Sequence, residues 1–325
     1  MARHRITSLN SRLVIYAGIA GGIAVAITKF GAALFTGSSA MMSEGVHTLV
    51  DTGNSALLLY GMHRAAQKPD GDHPLGYSRE IYFWSFIVAV LVFALGAGLS
   101  FYEGVSHIRH PEAIQDPSVN YIVLAISALF DVPTFWLALR NFKGDGDLST
   151  LFGKFKDSKD PTEFTTFFEN AATVLGLITA AAGIYLSVLF NRPELDGVAS
   201  LVISAVLAVT AILLARETKG LLIGEPADEK VVESITRIAR SIPDVIHANG
   251  ILTTQLGPDQ IIATLSIEFA DRLRTSDIEQ RVVDLERRVK ARHSEVMAVF
   301  IKPQTAAEFQ RVHRAKVKAG GPAEH

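Results

Sequence analysis

The amino-acid sequence predicts an all-α bundle of six transmembrane helices followed by a small α+β domain. Three observations indicate this fold class. Of the 325 residues, 49% are hydrophobic and the mean hydropathy is +0.27. The apolar residues cluster in runs of about 20, the length of a helix that crosses a bilayer. From Glu225 onward, the pattern changes to short amphipathic helices and strands.

Six apolar segments are long enough to span the hydrocarbon core as helices: 13–35, 41–62, 81–101, 119–139, 164–190 and 198–215. Basic residues are concentrated in the N-terminal arm and in the connections after the second and fourth segments, the last of which includes Lys143, Lys154, Lys156 and Lys159. Short basic loops stay in the cytoplasm, so both termini are predicted to be cytoplasmic. The expected host is the cell (inner) membrane.

The predicted domain boundaries fall at residues 12, 222 and 303. Residues 1–12 form a cytoplasmic arm, 13–222 the membrane domain, 223–303 the α+β domain, and 304–325 a polar tail that is predicted to be disordered. In the α+β domain, 228–241 and 276–292 have helical periodicity, and 245–256, 261–269 and 296–301 are typical of strands. So small a domain has a thin core and often gains stability by pairing.

Several classes of function are excluded by the sequence. It contains no cysteine, so any metal must be held by oxygen and nitrogen ligands. It has no HExxH, no GxSxG and no phosphate-binding glycine loop, which argues against an enzyme. No basic patch indicates nucleic-acid binding, and no bound cofactor is expected.

Two stripes of polar residues lie within predicted membrane spans. One is in the second span and the other opens the fifth: Glu44, His47, Asp51 and Asn54; Thr162, Thr165, Thr166, Glu169 and Asn170. Spacings of three, four and seven residues place such groups on one helix face. Ionisable groups at membrane depth are costly unless they pair, face a wet cavity or hold an ion. His47 and Asp51 can therefore hold one divalent ion together, or they hydrogen-bond to each other between helices.

Five motifs carry a resemblance to a known family. They are Ser38-Ser39-Ala40, His47-x-x-x-Asp51, the loop from His73-Pro74 to Arg79-Glu80, Tyr102-Glu103-Gly104 and Asp196-Gly197. Through these motifs, the chain from about residue 12 to residue 302 resembles the cation diffusion facilitator family of metal transporters. The resemblance implies six helices, a cytoplasmic ferredoxin-like domain that forms a homodimer, and export of a divalent cation in exchange for protons.

The fifth span departs from the family pattern. In zinc-exporting members the corresponding helix resembles an HxxxD motif. This sequence has Thr166 at the His position and Asn170 at the Asp position, with Glu169 one residue out of register. A divergent branch that includes organellar zinc transporters of animals is similar in having an acidic residue here. The expected metal ligands are His47, Asp51, Glu169 and Asn170, with Asn54 and Thr166 as helpers. Alternatively, Glu169 is a helix-start residue or the partner of a loop lysine.

Two further regions are compared with the family's metal sites. In the loop after the second span, Asp70 and His73 match a site of some relatives, but Tyr77 replaces its second histidine, so this is either a helper site or a solvated turn. In the last strand, Phe300 and Lys302 stand where relatives have cytoplasmic zinc ligands. No binuclear cluster is expected there.

The leading hypothesis is a secondary active transporter for divalent cations. Zn²⁺ is the first candidate, with Mn²⁺, Fe²⁺ and Co²⁺ as alternatives; protons and membrane lipid are the other partners. The competing hypothesis is a non-transporting or metal-responsive dimeric scaffold. Isolated charges receive structural interpretations: Lys29 and Asp131 snorkel or pair, Glu44 is peripheral to the site, and Asp196 complements the dipole of the sixth helix.

Overall fold

The computed structural model describes residues 8–143 and 159–312, with side chains from 18 to 140 and from 159 to 312. The structure divides into two compact units, with the boundary between Lys219 and Gly220. Most of the predicted N-terminal arm, the loop lysines Lys154 and Lys156, and the tail from 313 onward lie outside the described residues.

Six long helices occupy the described residues before Gly224. They are α1 (Ser8–Thr36), α2 (Ser39–Ala65), α3 (Glu80–Arg109), α4 (Pro117–Lys143), α5 (Pro161–Phe190) and α6 (Glu194–Ile223). Five of them are long and apolar enough to cross a membrane; α2 is not among these. It has the length, 27 residues, but its polar stripe lowers its hydropathy. Length and composition therefore support five of the six predicted spans.

Helix α2 lies among the other helices of its unit. It packs against α1, α3 and α5. The apolar core that these helices share includes Met41 of α2, Val88 and Val92 of α3, and Ala180 and Ile184 of α5. The polar stripe of α2 is thus surrounded by protein, where ionisable side chains find partners more readily than in lipid.

The start of α2 is held by a carboxylate from another helix. Ser38 is the N-cap, and its hydroxyl accepts from the Met41 N–H. Asp196, in the first turn of α6, accepts from the N–H groups of Ser39 (2.6 Å) and Ala40 (3.2 Å) and from the Ser38 hydroxyl (3.0 Å). These bonds satisfy N–H groups that a helix start leaves free. Asp196 therefore caps α2 as well as lying in the first turn of α6.

Helix α3 contains a π-helical segment, Val92–Ala97. Such segments have i→i+5 hydrogen bonds and occur mostly as single turns inside α-helices, frequently at functional sites. The Ser204 hydroxyl of α6 donates to the Ala97 carbonyl at 2.8 Å, and both groups are buried. This bond links α3 to α6 near the middle of both helices.

The second unit contains the predicted order of helix, strand, strand, helix and strand. The elements are α7 (Glu229–Arg240), β1 (Val245–Gly257), β2 (Gln260–Phe269), α8 (Thr275–Arg292) and β3 (Val296–Pro303). In the sheet order β1-β2-β3, the first pair is antiparallel and the second parallel. Ile235 of α7 and Leu285 of α8 share a buried core with Leu265 and Ile267 of β2, so α7 and α8 cover the same face of the sheet.

The chain after β3 differs from the predicted disordered tail. The Gln304 N–H donates to the Ile267 carbonyl (2.9 Å), and the Ala306 N–H donates to the Glu268 carboxylate (3.0 Å). Residues 306–312 are helical. Order therefore extends past residue 304, because these backbone groups find partners on β2.

Candidate metal site between helices α2 and α5

The predicted pair on α2 is joined by a hydrogen bond. His47 Nε2 lies 3.1 Å from Asp51 Oδ2, one helical turn away. The His47 side chain is 2% exposed and the Asp51 side chain 22%, so the imidazole is buried and the carboxylate lies at an edge of open space. The contact is within one helix, as the four-residue spacing dictates, rather than between helices.

Helix α5 brings the second stripe to the first. Its start is fixed by Asp160, whose carboxylate accepts from the Thr162 N–H at 2.8 Å, with Pro161 at the first helical position, where no N–H is required. Two turns further on, the Glu169 carboxylate accepts from Asn54 Nδ2 of α2 at 2.9 Å. The two stripes therefore meet, and Glu169 is bonded to the partner stripe.

A threonine that the sequence analysis did not single out bridges the two helices. The Thr173 hydroxyl lies 3.2 Å from Asp51 Oδ2 and 2.9 Å from the Glu169 carbonyl. Threonine hydroxyls inside membrane helices commonly bond to their own helix, so the residue type alone gives no signal. Only its position, four residues after Glu169 on the same helix face, indicated that it could lie near the site.

The expected ligand Asn170 and the helper Thr166 on α5 have different hydrogen-bond partners from Glu169. Asn170 Nδ2 donates to the Thr166 carbonyl at 2.7 Å, within the same helix. The Thr166 side chain is exposed and that of Asn170 is half-buried. Both line the same cavity as Asp51 and Glu169, so Asn170 remains within reach of a cation there.

A cavity of about 590 Å³ lies between α1, α2, α4 and α5. Its polar lining consists of Thr48, Asp51, Thr52, Ser55, Asp131, Thr134, Thr166, Glu169, Asn170 and Thr173. Asp51 Oδ1 is buried without a hydrogen-bond partner among the described residues. A buried carboxylate oxygen that borders a cavity can accept a hydrogen bond or bind a cation.

The ligands do not form a closed cluster. Within residues 18–140 and 159–312, no three His, Asp or Glu side chains converge to hold one metal ion. His47 is bonded to Asp51, and Glu169 to Asn54. Coordination of one ion by His47, Asp51 and Glu169 therefore requires these bonds to break and the side chains to turn into the cavity.

The predicted loop site is organised around its own backbone. Asp70 Oδ1 accepts from the N–H groups of Asp72 (3.1 Å) and His73 (2.8 Å), and Asp70 Oδ2 accepts from the Tyr77 hydroxyl (2.6 Å). The Tyr77 hydrogen bond, and then that from the His73 backbone, hold the pKa of Asp70 below its ordinary value. His73 Nδ1 is 3.6 Å from the same carboxylate. These contacts are those of a hydrogen-bonded turn.

A buried ion pair lies next to the site. Lys29 Nζ of α1 donates to Glu44 Oε2 of α2 at 2.9 Å, and both side chains are 0% exposed. Pairing between helices is thus confirmed for Lys29, and snorkelling is wrong. The sequence signal was two opposite charges in adjacent spans, but their contact depends on which faces of α1 and α2 meet.

Asp131 of α4 also borders the cavity. The sequence interpretation of an isolated charge did not connect it with Asp51 and Glu169. Its signal was an acid within a membrane span, which by default indicates function.

Comparison with known proteins places these features in a family context. Residues 15–223 match the sequence model of the cation efflux transmembrane domain. The chain is 33% identical to the mitochondrial proton-coupled zinc antiporter SLC30A9 of Xenopus laevis over 256 residues, 78% of this chain and 46% of that protein. It is 28% identical to metal tolerance protein C4 of Arabidopsis thaliana over 243 residues, 74% of this chain and 53% of the relative.

A bacterial relative is more distant. The zinc transporter ZitB of Pectobacterium atrosepticum is 22% identical over 226 residues, which cover 69% of this chain and 65% of that protein. The chain spans about half the length of the frog and plant relatives. The similarity covers the helices that carry the two polar stripes, since these lie within residues 15–223.

Proposed function

The chain belongs to the cation efflux family, and we propose that it is a secondary active transporter that exports a divalent transition-metal cation in exchange for protons. Zn²⁺ is the proposed cargo. Two similar proteins, a proton-coupled zinc antiporter and a zinc transporter, support this choice. The observation that carries the proposal is the cavity that Asp51 and Glu169 line, where one Asp51 oxygen has no hydrogen-bond partner in the described part of the chain.

In this proposal α2 also spans the membrane, which brings the number of membrane helices to six. Its 27 residues match the length of a span, and α1, α3 and α5 pack around it, so its polar stripe does not need to meet lipid. Both termini and the second unit, a ferredoxin-like domain, are then cytoplasmic, in the cell (inner) membrane. Reporter proteins fused in the 66–79 loop and after Ile223 should both report the cytoplasmic side, and one fused after Thr36 should report the opposite side, because α2 lies between residues 36 and 66.

His47, Asp51 and Glu169 are the proposed ligands, with Asn170 completing the set and Asn54 and Thr166 assisting. One imidazole with two carboxylates suits Zn²⁺ and also accepts Mn²⁺, Fe²⁺ or Co²⁺. Isothermal titration of the purified protein with these four ions ranks them. Tighter binding of Mn²⁺ than of Zn²⁺ would overturn zinc as the cargo.

Proton exchange follows from the same ligands. A metal binds neutral imidazole and ionised carboxylate, so protons compete with it for each group. Metal entering from the cytoplasm displaces protons from His47 and its neighbouring carboxylates. Protons arriving from the other side displace the metal there. The chemistry of these residues therefore couples the two flows without a separate proton site.

Transport by protein reconstituted into liposomes tests this proposal. A pH gradient should drive Zn²⁺ accumulation, and Asp51→Asn should abolish it because the carboxylate that faces the cavity is lost. Asp116→Asn makes the same chemical change at an exposed position outside the cavity and should transport like the wild type. Retained transport in Asp51→Asn overturns the assignment of the site.

One observation favours a second function, a metal-responsive scaffold that does not transport. Among the described residues the ligands do not converge, and α5 has Thr166 and Asn170 where the family pattern has ligands. If the site is half-built, Glu169→Gln leaves metal affinity unchanged while His47→Ala abolishes it. A loss in both variants supports the transporter.

We also propose that the second unit forms a homodimer through the sheet face opposite α7 and α8. Leu252, Thr264 and Phe300 are adjacent across the three strands, and Leu252 is 70% and Phe300 56% exposed. Exposed apolar residues in one row commonly mark an interface. Leu252→Asp combined with Phe300→Asp should halve the mass measured by light scattering; an unchanged mass would overturn this interface.

A further inference from the structure

The Lys29–Glu44 pair is fully buried at membrane depth. Lys29 Nζ is 2.9 Å from Glu44 Oε2 and 2.9 Å from the Thr48 hydroxyl. Burying two charges costs several kcal/mol for each ion, and their attraction offsets this cost only when the geometry is good. A pair of this kind is weak evidence for stability and is retained in membrane helices mainly where function requires it.

The pair lies immediately beyond the inner end of the cavity. Thr48 lines the cavity and accepts a hydrogen bond from Lys29. Val25, one turn before Lys29 on α1, is also a lining residue, whereas Lys29 and Glu44 are 0% exposed. The open volume therefore ends at Thr48, and the ion pair lies directly beyond that end.

Glu44 has one carboxylate oxygen to spare. Glu44 Oε1 is buried and has no hydrogen-bond partner among the described residues. It faces α5 at Gly176, where an added Cβ would collide with this oxygen and lie 3.7 Å from His47 Nδ1. The free oxygen and the imidazole therefore meet the same point on α5, and the glycine makes room for them.

We propose that Glu44 is a further ligand for the cargo, on the exit side of His47, and that Lys29 is its resident counter-cation, which the cargo displaces. The inference rests on the proposed transport function. Asp51, His47 and Glu44 follow one another along one face of α2 at spacings of four and three residues. A cation that leaves Asp51 thus meets His47 and then Glu44 Oε1. When it does, the cation and the Lys29 ammonium compete for the single charge of this carboxylate, and the divalent cation displaces the ammonium.

Zn²⁺ affinity of the purified full chain, measured by isothermal titration, tests the competition directly. Lys29→Met should tighten Zn²⁺ binding by about tenfold, a change of about 1.4 kcal/mol, because the competing cation is gone. Lys29→Arg keeps the charge and should bind like the wild type. Glu44→Gln should bind more weakly than the wild type, since Lys29 keeps its charge without a counter-ion. Unchanged or weaker binding in Lys29→Met overturns the proposal.

The variant Lys29→Met/Glu44→Gln separates a ligand from a structural pair and also covers the case in which Lys29→Met does not fold. Methionine and glutamine preserve the volume without burying a charge, so this variant should fold. If the pair is structural, the double variant transports Zn²⁺ at the wild-type rate, and that result overturns the proposal. If Glu44 is an exit ligand, its loss in the double variant should slow Zn²⁺ transport by at least about tenfold.

The two readouts distinguish this inference from the proposed function. A wild-type protein that binds Zn²⁺ but does not transport it overturns the transporter. The affinities of the wild type and Lys29→Met still decide whether Lys29 competes with the metal. Thermal unfolding with and without Zn²⁺ gives a second reading: Zn²⁺ should stabilise Lys29→Met more than the wild type, and equal stabilisation contradicts the competition.

Discussion

Within seven residues, helix α2 treats two acidic side chains in opposite ways. Glu44 is 0% exposed and has a lysine ammonium at 2.9 Å. Asp51 is 22% exposed, is bonded to an imidazole and a hydroxyl, and borders a cavity of about 590 Å³. The charge of Glu44 is compensated by a lysine of the protein itself. Asp51 has no permanently charged side chain as its partner, so a cation that enters the cavity can compensate its charge.

The largest expected effect is on folding stability. Glu44→Leu leaves the Lys29 ammonium buried without a counter-ion and should lower the free energy of unfolding by about 3–5 kcal/mol. Asp51→Leu removes a carboxylate that has no such cation but leaves His47 and Thr173 without this partner, and should cost less, about 1–3 kcal/mol. Chemical unfolding in detergent micelles measures both. Equal losses would show that the two charges are not treated differently.

Stabilisation of the fold by bound Zn²⁺ should depend on the proposed ligands at the cavity. Zn²⁺ at about one hundred times its Kd should stabilise the wild type by about 2.7 kcal/mol, and His47→Ala should lose this gain. Thr134→Ala is the control, because Thr134 lines the cavity but bonds to the carbonyl of Phe130 in its own helix. A thermal shift that persists in His47→Ala would contradict the ligand assignment.

The dependence of zinc affinity on pH should be smaller but diagnostic. Histidine ordinarily titrates near pH 6.5, and protons oppose metal binding, so affinity should rise with pH. For each proton released on binding, the affinity should fall by about tenfold per pH unit below the pKa of its ligand. Titrations between about pH 5.5 and 8 measure the slope, and His47→Gln should make it shallower. An unchanged slope would show that His47 does not exchange its proton for the metal.

The smallest effect is expected at an exposed carboxylate. The Tyr77 hydrogen bond is the leading cause of the lowered pKa of Asp70, so Tyr77→Phe should raise that pKa toward its ordinary value. A lowered pKa in the fold gives stability that is present above the ordinary pKa and is lost as the pH falls through the lowered one. The variant should therefore lose stability at neutral pH, but only slightly, because Asp70 is exposed to solvent. A carboxyl chemical-shift titration tests this, and an unmoved Asp70 titration would contradict it.

Periodicity made much of this fold predictable. The strands predicted at 245–256 and 261–269 are Val245–Gly257 and Gln260–Phe269, because each is a short run rich in strand-forming residues and the turn at Pro258 and Asp259 separates them. The His47–Asp51 bond was likewise predictable, since four residues on a helix make one turn. Local spacing determines such features, so they need no knowledge of tertiary structure.

Contacts between helix faces could not be predicted from the sequence. Glu44 was interpreted as peripheral to the metal site, and the sequence did not indicate that its carboxylate is buried against Lys29, fifteen residues away. Asp131 was interpreted as isolated, yet it lines the cavity with Asp51. Neither contact follows from spacing within one helix. Both depend on the rotation of α1 and α4 about their axes, which a single sequence does not specify.

The bond from Ser204 to the Ala97 carbonyl has a mechanical consequence. It links α3 to α6 at the end of the π-helical segment, and the backbones of the two helices also meet closely at Gly104 and Gly197. Contacts at two levels oppose both sliding and rotation of one helix against the other. If the bundle rocks between two openings, α3 and α6 should therefore tilt together, and spin labels next to Ser204 and Ala97 should keep a constant separation.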